Sequence, residues 1–276
     1  MKRIIALLTA VLLLFSLTAC AAEVPTGESA GTFRMEILST GKSDCIILCM
    51  DDLVIVNDAA DEDDFETICA ALEELGAEKI DCLILSHYDK DHIGSAAELV
   101  RTYEVGEICG PVYEENSVYL ASLERAAESR GVPFTRLEED KIISAENGSV
   151  LIDPPDIDYG DDNNNSLITT VTWKGENLLL LGDAKKDRMK EQLEVSLESY
   201  RFIKLPHHGD SNKPLLKLID ETQPTWAAVT AESETDIEPK LTAALTAAQT
   251  TLFCTANGPL TIHWTGTELT AEQNAR

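Results

Sequence analysis

Three short segments of the chain gather side chains able to hold a metal ion. The first, Ser86-His87-Tyr88-Asp89-Lys90-Asp91-His92-Ile93-Gly94, offers two imidazoles and two carboxylates within six residues. No regular helix or strand carries four ligands on one face at that spacing, so they converge only where the chain turns tightly. The second, Leu178-Leu179-Leu180-Leu181-Gly182-Asp183, is an apolar run ending in glycine and a carboxylate. The third, Phe202-Ile203-Lys204-Leu205-Pro206-His207-His208-Gly209, ends in paired imidazoles. Four of the five histidines in the chain fall in these segments. Imidazole with carboxylate suits zinc, manganese or iron, and neither a cysteine cage nor an oxygen-only one is present. Such an ion lowers the pKa of bound water from about 15.7 towards 7, which points to hydrolysis. No Ser/His/Asp arrangement and no phosphate-cradling glycine loop offers a rival chemistry.

Each segment directly follows a predicted strand. Short β-rich runs open the folded chain at Phe33–Ser39, Cys45–Met50 and Leu53–Asn57. Apolar residues at helical spacing, Phe65, Ile68, Cys69 and Leu72, predict a helix over Asp63–Leu75 that Gly76 stops. Ile80–Leu85 reads as a buried strand leading into the first segment. The alternation continues with helices at about 94–102 and 117–130, and with strands at about 105–109 and on to about 153. After a polar loop, Asp156–Asn165, come strands at 166–173 and 177–182, a helix near 185–196 and a strand at Phe202–Leu205. Helices at 214–221 and 238–248 then alternate with strands at Thr225–Val229, 251–254 and 259–264. Two β-rich halves with helices on their outer sides predict an α+β fold, a four-layer αββα sandwich.

Composition narrows the class. The 276 residues are 44% hydrophobic, enough for a substantial core, and carry 49 acidic against 22 basic side chains, net −27. That balance argues against passive binding to nucleic acid or an anionic bilayer. Met1-Lys2-Arg3 precedes an uncharged run, Ile4–Ala19, with the form of a secretory signal that is short for a membrane span. The run ends Leu17-Thr18-Ala19-Cys20, which resembles the lipobox of bacterial lipoproteins. The expected organisation is a signal peptide over 1–19, a flexible tether over 20–32 starting at lipidated Cys20, and a hydrolase domain over 33–270. Cleavage would remove Lys2 and Arg3, leaving 20 basic against 49 acidic residues, net −29. The expected location is the extracytoplasmic face of the cell membrane, held by the lipid alone. Cys45, Cys49, Cys69, Cys82, Cys109 and Cys254 form no CxxC pair and sit mostly in apolar runs, where buried free thiols are expected.

Together the three segments resemble the metallo-β-lactamase superfamily, in the branch similar to the hydrolase domain of the competence protein ComEC. That branch carries His-x-Asp-x-Asp-His, here His87, Asp89, Asp91 and His92. Gly41-Lys42-Ser43-Asp44, Val54-Ile55-Val56-Asn57-Asp58, Asn163-Asn164-Asn165-Ser166-Leu167 and Pro206-His207-His208-Gly209 resemble further motifs of the family. The resemblance implies two divalent ions, zinc or manganese. His87 and Asp89 would hold one; Asp91, His92 and one histidine of the His207–His208 pair, with His208 favoured, would hold the other, with Asp183 bridging. Asp91 and His207 would be catalytic, with Asp91 or the bridging Asp183 orienting the nucleophile and His207 contacting substrate. His207 or Lys204 would stabilise developing negative charge, and His263 would be structural.

The pattern departs from the family in two places. No histidine occurs between His92 and His207, so the first ion is thinly held and occupancy by one ion stays open. Asp161, Asp162 or Asn165 would be the substitute ligands. The usual serine after His-His-Gly is Asp210. The expected function is phosphodiesterase or nuclease-type hydrolysis of an extracytoplasmic phosphate ester: a small phosphodiester, an envelope polymer or nucleic acid. Lys185, Lys186, Arg188 and Lys190, with Lys213 and Lys217, are the residues expected to reverse the field locally. The alternative is a non-catalytic surface lipoprotein that keeps the fold for binding or assembly.

Overall fold

The computed structural model describes residues 31–195 and 199–275; the expected signal peptide, Cys20 and nearly all of the tether lie outside them. The first half of the chain runs β1 (Phe33–Ile37), β2 (Ile46–Met50), β3 (Leu53–Asn57), α1 (Phe65–Glu74) and β4 (Lys79–Ile84). It continues through α2 (Lys90–Ile93), α3 (Ala96–Thr102), β5 (Glu104–Pro111), α4 (Val118–Arg130) and β6 (Phe134–Leu137). The second half begins with β7 (Lys141–Ser144), β8 (Gly148–Asp153), β9 (Ile168–Trp173), β10 (Glu176–Leu180) and α5 (Lys186–Glu194). Next come β11 (Phe202–Lys204), α6 (Lys213–Thr222), β12 (Trp226–Val229), α7 (Pro239–Ala247) and β13 (Thr251–Cys254). The chain closes with β14 (Leu260–Trp264) and β15 (Leu269–Gln273).

These strands form two sheets, ordered β15-β14-β1-β2-β3-β4-β5-β6 and β13-β12-β11-β10-β9-β8-β7. The two-residue period of a strand explains how each sheet is buried on both faces. Ile47, Val56, Leu83 and Ile108 face Ile68 and Leu72 of α1, Leu99 of α3 and Leu123 of α4. Their neighbours Leu48, Ile55, Cys82, Ile84 and Cys109 face the other way and meet Val150, Val171, Leu178, Leu180 and Phe202 of the second sheet. On that sheet's outer face, Leu179, Ile203, Ala227 and Val229 pack on Met189 of α5, Leu215 and Leu218 of α6, and Leu241 of α7. Three apolar interfaces thus separate four layers, α, β, β and α.

Strands β3 to β6 pair in parallel, as do β10 to β13. The C-terminal ends of β4, β10 and β11 are the points where the three ligand segments leave their strands. Strand β15 has no signature in the sequence. Leu-Thr-Ala-Glu-Gln has one large apolar residue, so it shows no alternation, yet β15 pairs antiparallel with β14 at the sheet edge. It carries the folded chain through Gln273, past the expected boundary at 270.

Candidate metal centre

Strand β4 leads into Ser86 and His87, both buried, before the chain bends into the one-turn helix α2. Asp89 occupies the residue before α2 but makes no side-chain cap, so its carboxylate is not used to start the helix. Asp91 and His92 fall within that turn, and His92 is fully buried. From the second sheet, Gly182 turns the end of β10 with φ +51°, and a Cβ there would stand 2.7 Å from the Ser86 Cβ. Only glycine permits this approach of the two sheets, and it brings Asp183 beside His92. At the end of β11, His207 and His208 both adopt left-handed backbone, φ 49° and 52°. For non-glycine residues that conformation costs about 1–3 kcal/mol each and persists only where the surroundings impose it.

One carboxylate oxygen or ring nitrogen from each of Asp91, His92, Asp183 and His208 lies within 4.8 Å of the others. His208 Nε2 is 3.2 Å from Asp91 Oδ2 and 3.3 Å from Asp183 Oδ2, and His92 Nε2 is 3.4 Å from the same Asp183 oxygen. Beside them, His87 Nε2 is 3.4 Å from Asp89 Oδ2, and the His87 and His92 rings are 4.1 Å apart. The buried Nε2 atoms of His87, His92 and His208 nevertheless have no hydrogen-bond partner. Nitrogen and oxygen at that spacing, but not aligned on each other, are what a shared ion requires. Two ligands about 2.1 Å from one tetrahedral ion stand about 3.4 Å apart. The donor set therefore fits a divalent metal. Asp183 directs Oδ2 at this cluster while Oδ1 accepts from the His207 N–H at 3.0 Å.

The opposite ring nitrogens are held by two parallel relays. Asp58, itself in left-handed backbone, accepts from the Ser86 N–H at 2.7 Å and the Ser86 hydroxyl at 2.8 Å. His92 Nδ1 meets Asp58 Oδ2 at 3.0 Å, and His87 Nδ1 meets Ser86 Oγ at 3.0 Å. His208 Nδ1 lies 3.3 Å from Thr230 Oγ1, whose hydroxyl donates to Asp44 Oδ1. Asp44 is buried against Lys204 Nζ. With Nδ1 as the donor in each ring, Nε2 keeps its lone pair for a metal. In the sequence Asp44, Asp58 and Ser86 stand within the quoted motifs without a role, and Thr230 stands in none.

The electrostatics follow from this packing. Burial alone would raise the Asp91 carboxyl, but His208 and His92 outweigh it and hold it at about 2. Asp183 is likewise pressed upward by burial, yet the same two imidazoles keep it well below the usual carboxylate range. Burial lowers His208, and Asp183 and Asp91 overcome this to raise it to about 9. The close approach of His87 leads in lowering Asp89.

Several expectations change. Lys204 is not available to stabilise charge on a substrate: its ammonium is enclosed and paired with Asp44. Asn165 is no ligand, because its amide accepts from Tyr159 N–H and donates to Asp158. Asp161 takes the Asn164 N–H and stands 3.4 Å from Lys185, and Asp162 faces Glu115. From that loop it is Asn163 that reaches the cluster, 3.4 Å from Asp183 Oδ2. Arg188 is buried on Asp153 and Glu191, while Lys190 and Lys217 pair with Asp187 and Glu221 on their own helices. His207 holds Asp210 at 2.5 Å and lines a cleft with Lys185 and Lys186. His263 stands on β14 beside Thr270. All six described cysteines are free, with Cys82 and Cys109 in contact at 3.8 Å between neighbouring strands.

Two stacked sheets clad in helices, with imidazole and carboxylate converging at strand ends, define a metallo-hydrolase scaffold. Residues 41–225 match the model of the Metallo-beta-lactamase superfamily, and the chain belongs to that superfamily. It is 26% identical over 158 residues to ComE operon protein 3 of Bacillus subtilis (strain 168), a match covering 56% of this chain and 20% of that protein. The chain thus spans only a small part of the relative's length. Among solved structures, the metallo-beta-lactamase fold protein YhfI from Bacillus subtilis superposes with a TM-score of 0.57 at 10% identity, covering 87% of this chain and 100% of that one. A point mutant of CmlA beta-hydroxylase gives 0.56 at 13% identity, over 87% and 55% of the two chains. One of these neighbours is named as a hydroxylase, so fold alone does not choose the reaction; the site must.

Proposed function

We propose that the protein is a metal-dependent phosphodiester hydrolase that works outside the cytoplasm, tethered by lipid at Cys20. The observation that carries the reading is the set of three buried, unpartnered Nε2 atoms aimed at Asp89, Asp91 and Asp183. In it His87 and Asp89 would hold one ion, and Asp91, His92, Asp183 and His208 would hold the other. A bound divalent ion, zinc or manganese, supplies Lewis-acid polarisation of a phosphoryl oxygen and a more acidic water. The chain's own residues do the rest. The Asp58, Ser86 and Thr230 contacts fix the imidazole tautomers before substrate arrives, so no reorganisation is needed during the reaction. Asp91, ionised and partly exposed, orients an attacking water; held at about 2, it is a better positioning group than proton acceptor. His207, with Nδ1 engaged by Asp210, presents its remaining ring nitrogen at the rim, towards substrate oxygen. The ComEC-like His87–His92 run supports a phosphodiester, and the Lys2–Cys20 sequence supports export and anchoring.

The thin shell of the first position favours a second reading, a binding lipoprotein with a structural ion: among the described residues only His87 and Asp89 face it as a pair. Metal content per chain, measured beside hydrolysis of bis(p-nitrophenyl) phosphate with zinc or manganese, separates the two. Near two equivalents with metal-dependent turnover supports the hydrolase. Bound metal without turnover under any ion rejects it in favour of the binding protein.

A further inference from the structure

This inference rests on the phosphodiesterase reading and names the kind of phosphodiester. Beside the ligand cluster, on its Asp183 side, lies an open cleft of about 250 Å³ lined by Lys185, Lys186, His207, Ser211 and Asn212, together with Asp210, whose carboxylate is engaged by the His207 ring. It adjoins the cluster: Ala184 follows Asp183, and the His207 N–H is bonded to the Asp183 carboxylate. Lys185 is steered by Asp161 at 3.4 Å, whereas Lys186 has no ion pair among the described residues. Further along α5 no free cation follows, because the guanidinium of Arg188 is buried and Lys190 is paired with Asp187. On the Asp89 side the wall has the opposite sign: a pocket of about 520 Å³ lined by Glu114, Glu115, Glu124 and Asp158, with Arg136 bound to Glu124. Glu115 there is raised by burial and by its neighbours Asp162 and Asp89, the mark of crowded negative charge.

We propose that the cleft of Lys185, Lys186 and His207 binds a second phosphate group of the substrate, which makes the protein selective for short phosphodiesters with a terminal phosphate. Ammonium and imidazole donors form short, strong bonds to a phosphate dianion. A long strand would place its further phosphates against the acidic wall, in a chain of net charge −27, and be repelled. One lysine-bearing cleft beside one metal centre accommodates a small molecule with two phosphate groups.

The test compares dithymidylate with and without a 5′-phosphate, by calorimetric binding and by turnover, on the purified protein. The phosphorylated form binds about ten-fold more tightly, as one charge-assisted contact provides. Lys186→Ala brings that ratio close to one, while Lys190→Ala, the same charge change on the paired lysine of the same helix, keeps it near ten. A ratio of one in the unaltered protein, an equal loss in both variants, or tighter binding of a long oligothymidylate than of the phosphorylated dinucleotide overturns the subsite. Turnover of bis(p-nitrophenyl) phosphate with a ratio of one rejects the subsite alone. A ratio of ten without any turnover rejects the hydrolase alone.

Discussion

Lys204 and Asp44 form a buried ion pair between the two sheets, and the free oxygen of Asp44 accepts from Thr230, which meets the ring of His208. A lysine that read from sequence as a candidate for the reaction is thus a support for a metal ligand. Removing one partner strands the other in the interior. Lys204→Met should cost about 3–5 kcal/mol in urea unfolding, and adding Asp44→Asn to it should recover much of that loss. A single-variant cost below about 1 kcal/mol would show the pair to be screened.

The hydroxyls of Ser86 and Thr230 join carboxylates to His87 and His208. Ser86→Ala and Thr230→Val keep the ligands but free their rings to turn. Each should weaken zinc binding by about 10–100-fold in chelator competition, with an unchanged circular dichroism spectrum. Unaltered affinity in both would deny the relays a role in orienting the ligands.

His208 makes metal loading a proton exchange. In protein stripped by a chelator, Asp183 and Asp91 overcome burial and raise it to about 9, against about 6.5 for an unfolded histidine. The stability this contributes is complete below about 6.5 and is lost as pH rises through about 9. Asp91, held at about 2, acts oppositely: its contribution is present above the ordinary 3.8 and is lost as pH falls through about 2. A ligating imidazole is neutral, so zinc binding at pH 7 should release at least one proton per ion. Heats of binding in buffers of different ionisation enthalpy measure this directly, and identical heats would contradict the raised His208.

Gly182 allows the two sheets to meet. Gly182→Ala adds a Cβ 2.7 Å from that of Ser86 in a backbone with φ +51°. It should destabilise the protein by about 1–3 kcal/mol and displace Asp183, so that metal content falls as well. Thermal unfolding and metal analysis of the same sample test both effects; full metal content would show that Asp183 tolerates the shift.

Asp183→Ala removes the oxygen that faces both His92 and His208. It should abolish metal-dependent hydrolysis in a protein that still unfolds cooperatively. His263→Ala, on β14 beside Thr270, should leave rates within about two-fold. Full activity in the Asp183 variant would sink the shared-ion site.

The sandwich was legible because the unbroken apolar runs at Ile46–Met50 and Leu178–Leu181 are a local property, and a strand buried on both faces writes such a run directly into the sequence. The ligand segments were visible for the same reason: polar residues such as His87, Asp183 and His207 stand immediately after apolar strands. Strand β15 was not, since an edge strand needs few apolar residues. The relays were hidden more deeply. His92 meets Asp58 from 34 residues away, and Thr230 meets Asp44 from 186 away. Periodicity tells which face a side chain takes and whether it is buried. Which buried polar group it then meets depends on how the sheets stack, and on the left-handed turns at Asp58, His207 and His208, which no local preference for those residues demands. Residue types and strand ends therefore carried the metal chemistry in the sequence, while the tertiary structure alone decided that Lys204 and Asp44 would support it.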